Sequence, residues 1–200
     1  MRKGDFVGTY KGNEFWPLDP RVEEVDVIDI AHSLSQICRF NGHTLHFWSI
    51  AQHSLLVEQV IKEYLNWDSP LTRLYGLLHD ASEAYISDIC RPVKKYLKDY
   101  LEIEDKIERA ILEYFQIADK LTSKDMELVI KADNIVLALE GRKLMKSRDY
   151  WNISQLWKPE YEPLLKYIDS SNISDVEQRF IEKCKALTNE LGINISWECL

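Results

Sequence analysis

The stretch 70–84, PLTRLYGLLHDASEA, spaces its apolar residues as one face of a helix and then sets His79, Asp80 and Glu83 together at its end. Helical spacing over this length constrains the fold, because an apolar stripe must be buried against other elements. Three ionisable groups at the end of such a stripe are costly unless something pairs them. Either they face water, or they surround a charge that the sequence does not show. The same periodicity recurs over 26–40, 49–65, 94–115, 123–145 and 174–191, with Ser49, Ser69 and Ser123 as caps, Pro70 as a first helical residue and Gly192 as a stop. Segment 6–20 carries Phe, Val, Tyr and Trp around a Lys-Gly-Asn turn, and Pro17 and Pro20 bar a helix there. The expectation is an all-α bundle of six or seven helices with a short N-terminal hairpin or extended arm. No repeat, low-complexity tract or linker divides 1–200, so one domain is expected.

Composition narrows the partners. Charged residues make up 29% and hydrophobic residues 46% of the chain, which suits a globular protein. A net charge of -8 argues against broad nucleic-acid binding, which wants a basic face, but leaves room for a small anion in a locally basic pocket. Cys38, Cys90, Cys184 and Cys199 are scattered without a CxxC pair, as reduced thiols would be. No apolar run follows MRKGDF, so neither a signal peptide nor a membrane span is expected, and a cytoplasmic location is.

Two further residues sit awkwardly in apolar helices. His53 lies between Ile50 and Val57, and Asp133 lies in IKADNIVLAL. A lone histidine or aspartate of this kind usually caps or packs. With His79 and Asp80, however, they offer two imidazole nitrogens and two carboxylates from three helices, a suitable donor set for one divalent metal. Such a metal supplies the positive charge that the crowded groups need.

The order His53, His79-Asp80, Asp133 resembles that of the HD-domain metal-dependent phosphohydrolases, an all-helical superfamily. HDASEAYISDICRPVKKY resembles the segment after the HD pair in its bacterial 5'-deoxynucleotidases, and ICRF, upstream of AQHS, resembles their Arg-aromatic pair. The resemblance covers roughly 30–144. It implies His53, His79, Asp80 and Asp133 as metal ligands and Glu83 as the acid-base residue. It also implies Asp88 near the sugar and attacked phosphate, Arg39 and Lys94 on phosphate, and Phe40 in place of the usual Trp near sugar or base. Lys95 and Lys131 are further candidates for phosphate, and His43, following Gly42, would touch phosphate or cap the next helix. His32, on an apolar face, reads as a structural residue.

A metal held by nitrogen and oxygen lowers the pKa of a water and polarises a phosphoryl oxygen, so hydrolysis of a nucleotide phosphoester is the expected reaction. The 2'-deoxy preference comes from the resemblance. Every histidine lies at or before His79, which favours one metal (Co, Mn, Zn or Mg) and disfavours a binuclear cyclic-nucleotide enzyme. Ala84 after Glu83 weakens an alarmone hydrolase. A dNMP 5'-nucleotidase and a dNTP (dATP) triphosphohydrolase both remain open, as does a nucleotide-sensing module without turnover. A homodimer or larger homo-oligomer is expected, from the resemblance and from the apolar residues of DYWNISQLW (149–157).

Overall fold

Side-chain caps mark the start of most helices in the computed structural model, which describes residues 2–146, 153–195 and 197. Asp26 accepts from the Ile28 amide ahead of α1 (Val27–Gln36). Ser49 and Gln52 form a reciprocal capping box at α2 (Ile50–Gln59), which continues as one π-helical turn, Val60–Tyr64. Ser69 accepts from Thr72 at α3 (Pro70–Leu78), with Pro70 in the first turn. The one-turn helices α4 (Glu83–Ile86) and α5 (Arg91–Lys94) precede α6 (Lys98–Tyr114). Then come α7 (Ser123–Leu144), α8 (Ile153–Leu156) and α9 (Ile173–Glu190), the last capped by Asn172. Among the described residues the only strands are β1 (Val7–Gly8) and β2 (Glu14–Phe15), paired antiparallel with Val7 opposite Phe15. The fold is all-α with an N-terminal hairpin, as its periodicity predicts.

Several boundaries differ from expectation. The helix expected over 70–84 ends at Leu78, and 79–82 is a tight turn closed by i→i+3 bonds from Ala81 to Leu78 O and from Glu83 to Asp80 O. Glu83 therefore opens a new helix rather than following His79 along one face. The first helix stops at Gln36 because Cys38 leaves it to form an isolated antiparallel bridge with Ser49. The helix expected over 94–115 begins only at Lys98, and Arg91–Lys94, expected to lie largely in a loop, forms the separate one-turn α5. The cap of α7 is Thr122, boxed with Asp125, and Ser123 is already helical.

Helix α2 is the centre of the packing. Every residue from Ile50 to Glu58 is buried, and the helix touches α1, α3, α7 and α9. One apolar cluster gathers Ile30, Leu34, Leu74, Leu77, Ile107, Ile111 and Phe180, and a second gathers Val57, Ile61, Val129, Val136, Leu139 and Tyr161. A helix buried all round must satisfy its polar groups internally. Glu58 does so by accepting from Arg73 Nε at 2.6 Å and pairing with Lys183 at 3.2 Å. His53 does so at the site described below.

The hairpin acts as a clip. Phe15 is fully buried and stacks on Tyr85 of α4 at 3.6 Å between ring centroids. Tyr10 stacks on His32, whose Nδ1 lies 3.1 Å from Glu177 of α9, and the Lys11 amide donates to Asp29 at 2.7 Å. His32 is thus the structural residue its apolar face suggests.

Of 149–157, residues 149–152 lie outside the described residues. Trp157 packs edge-on against Tyr161 and under Arg142, so it is taken up within the chain. Cys38 and Cys90 are half-buried free thiols and Cys184 is buried, while Cys199 lies outside the described residues. No helix among the described residues is long and apolar enough to cross a membrane.

Because Phe15 couples the hairpin to α4, Phe15→Ala should cost about 3–5 kcal/mol of stability, as loss of a buried aromatic does. Urea unfolding measures this, and a loss below 1 kcal/mol would mean that the hairpin is not part of the cooperative fold.

Candidate metal centre

Three elements bring the donors together. His53 comes from the buried middle of α2, His79 and Asp80 from the turn after α3, and Asp133 from α7. Donor atoms of His53, His79 and Asp80 all lie within 4.8 Å of one another. His53 Nε2 stands 3.4 Å from His79 Nε2 and 3.6 Å from Asp80 Oδ2, and His79 Nε2 stands 3.2 Å from Asp80 Oδ2. Donors bound at about 2.1 Å to one ion stand roughly 3.0–3.4 Å apart, close to this spacing.

Asp133 joins from one side. Its Oδ1 is 3.3 Å from His53 Nε2, while Oδ2 accepts from the exposed Arg91 at 2.8 Å. Three donors therefore converge, and the fourth shares its carboxylate with an arginine.

Hydrogen bonds behind the rings aim them. His53 Nδ1 donates to Glu140 Oε1 and His79 Nδ1 donates to the Gly76 carbonyl, each at 2.8 Å. Both Nε2 atoms then point inward at two carboxylates, an arrangement that demands positive charge. The titration of the groups reflects the demand. Burial and Arg39 oppose charge on His53, but Glu140 and Asp133 outweigh them and raise its pKa to about 9. His79 is also raised, because Asp80 overcomes burial. Burial alone would raise Asp80 and Asp133, yet the imidazoles (with Arg39 at Asp80) hold both well below the carboxylate range. The two imidazoles and the carboxylates beside them thus favour positive charge between them, and these donors fit a divalent metal.

Glu140 is the residue that the sequence reading missed. It is fully buried; Oε1 also accepts from Trp48 Nε1 at 2.8 Å and Oε2 accepts from Arg39 at 3.1 Å. The available signal was a glutamate in the apolar run LALEG, seven residues and two turns after Asp133 on the same helix.

The remaining candidates divide. Arg39 joins the site, with Nη1 3.8 Å from Asp80 and its guanidinium over the Phe40 ring at 5.6 Å. The chain turns sharply after it through left-handed Phe40 (φ 53°) and Asn41 (φ 51°), a conformation worth strain only where it places something. Glu83 is buried, its Oε2 has no hydrogen-bond partner, and Oε1 lies 3.9 Å from Lys94. Lys94 joins through that contact, though its firmer partner is Glu104 at 2.6 Å. Asp88 is half-buried, and burial raises its pKa, with Asp80 adding and Arg39 opposing. His43, Lys95 and Lys131 do not join. All three are exposed, and Lys131 stands about 200° around α7 from Asp133, since successive helical residues turn by about 100°. Lys95 lies over the Tyr96 ring instead.

The chain is 36% identical over 149 residues to the uncharacterized Escherichia coli protein YfdR, a match spanning 74% of this chain and 78% of that protein. It belongs to the YfdR family. An uncharacterized Rhodobacter capsulatus protein is 33% identical over 130 residues, 64% of this chain and 66% of that relative. No family model matches the chain.

Burial, reinforced by Asp80 and Asp88, pushes the Glu83 carboxyl up to about 10 against Arg39 and Lys94, from an ordinary 4.5. Between those values the folded, metal-free chain keeps a proton that the unfolded chain releases, so stability falls as pH rises. Glu83→Gln should therefore raise Tm in EDTA, little at pH 5 and by several degrees at pH 8–9. Parallel melting curves for wild type and variant across that range would show that Glu83 is not a buried, proton-holding acid.

Proposed function

We propose that the chain is a divalent-metal-dependent phosphohydrolase that cleaves the 5' phosphate group or groups from 2'-deoxynucleotides. The observation that carries this is the convergence of His53, His79 and Asp80 next to a buried carboxyl, Glu83, with an oxygen left without a partner. The order of these residues in the chain, which resembles that of HD-domain phosphohydrolases, supports the same conclusion. His53, His79, Asp80 and Asp133 would hold one Mn, Co, Zn or Mg ion. When bound, such an ion polarises a phosphoryl oxygen and makes water acidic enough to act as a nucleophile at neutral pH.

The chain's own residues do the rest. Glu140 and the Gly76 carbonyl fix the inward faces of the two imidazoles. Arg39 is anchored to Glu140 through Nη2, and its Nη1, 3.8 Å from Asp80, would meet a phosphate oxygen bound beside the donors. Glu83 holds a proton at neutral pH in the metal-free chain, and a positive charge brought near it would lower that pKa and let it accept or return a proton. Lys94, already paired with Glu104, balances charge beside Glu83. Phe40 offers an apolar face under Arg39 for sugar or base.

Separate incubation with dAMP and dATP, each with Mn, Co, Zn or Mg, tests the proposal by resolving nucleoside, orthophosphate and triphosphate. The expected outcome is metal-dependent release of deoxynucleoside, with orthophosphate from dAMP or intact triphosphate from dATP. Glu83→Ala should keep the metal and lose roughly 10²–10⁴-fold in turnover. Binding of nucleotide with no release under any of the metals would make the chain a sensor, and stepwise orthophosphate from dATP would contradict attack at the 5' phosphate.

A further inference from the structure

We infer that Glu140 is a positioning residue that couples the metal site to the phosphate site, holding a ligand with one oxygen and the phosphate-binding arginine with the other. The inference rests on the metal-dependent reading above. The carboxylate lies wholly inside α7 packing, where a charge is retained only against strong partners. It has three, and they divide by oxygen. Oε1 accepts from His53 Nδ1 and Trp48 Nε1, both at 2.8 Å, and Oε2 accepts from Arg39 Nη2 at 3.1 Å.

This division has two chemical consequences. A carboxylate accepts only, so the bond at Oε1 keeps the proton of the neutral His53 ring on Nδ1 and leaves the Nε2 lone pair inward. The bond at Oε2 fixes the rotation of the Arg39 guanidinium, whose Nη1 then faces Asp80 at 3.8 Å. One buried group thereby sets the distance between whatever His53 holds and whatever Arg39 holds. A phosphate that binds both must match that distance, and a shift of Glu140 moves both ends together.

Glutamine separates the two duties. Its carbonyl oxygen can serve only one side, and two donors face that position from His53 and Trp48 against one from Arg39. The amide NH2 of Glu140→Gln should therefore turn toward Arg39, donor against donor, while His53 keeps its tautomer.

The test uses the full chain with Mn2+ and inorganic phosphate as probes, measured by equilibrium dialysis and calorimetry. Glu140→Gln should weaken phosphate binding at least tenfold and Mn2+ binding less than that. Glu140→Ala should weaken Mn2+ binding about 10–100-fold, the usual cost of removing the partner behind a ligating histidine. Leu139→Ala, the adjacent buried residue, loosens the same helix and should lower Tm while leaving both affinities within threefold of wild type. If the glutamate variants fail to fold, 15N imidazole spectra of the zinc-loaded wild type still decide, with a proton on His53 Nδ1 expected and a proton on Nε2 overturning the inference. Wild-type affinities in Glu140→Gln, or losses matched by Leu139→Ala, would overturn the positioning role while leaving the metal reading intact. A wild-type chain that takes up no Mn2+ would overturn both.

Discussion

A carboxylate with no exposed surface, Glu140, accepts from His53, Trp48 and Arg39, and the arrangement of the site depends on how that charge is neutralised. Burying a charge is tolerable only when its hydrogen bonds are made. The three donors come from α2, from Ser49's neighbour Trp48 and from the loop after α1, so satisfying Glu140 fixes these segments against α7. His53 is thereby turned so that its second nitrogen meets His79 and Asp80. A group buried for electrostatic reasons thus sets the geometry of a cluster whose own charges remain to be balanced.

That balance explains the division between the two carboxylate environments. Asp80 and Asp133 face imidazoles and stay ionised, whereas Glu83, buried beside Asp80 and Asp88, holds its proton. Two acids one short turn apart are pushed in opposite directions by their surroundings, a pattern that marks sites of acid-base work more often than ordinary surfaces. The N-terminal hairpin supports this from outside, because Phe15 stacked on Tyr85 holds the helix that Glu83 begins.

Much of this could be read from the chain. His53, His79, Asp80 and Asp133 stood out because ionisable groups break an apolar helical stripe, and the structure brings the first three within ligand distance of one another. The end of α3 at Leu78 was not legible, since no Gly or Pro stands in His79-Asp80-Ala81-Ser82 and the turn is set by backbone bonds. The π-helical turn at Val60–Tyr64 is the last turn of its helix, so no apolar residue follows within that helix to record its shift of register. Lys95 and Lys131 carry charge near the motif in sequence, but both are exposed, Lys95 over the Tyr96 ring and Lys131 about 200° around α7 from Asp133. Glu140 lies 60 residues beyond the His79-Asp80 pair in sequence, and its signal is its register, two turns from Asp133 on one helix.

We propose that one divalent cation takes the place between His53, His79 and Asp80 that the inward-facing carboxylates make favourable for positive charge. Calorimetric titration of the metal-free chain with Mn2+ at pH 7, repeated in buffers of different ionisation enthalpy, measures both uptake and proton release. Because ligating imidazoles must be deprotonated, the account predicts about one ion per chain with release of roughly one to two protons. Saturable binding without proton release would place the ion away from these histidines, and no binding at all would contradict the account.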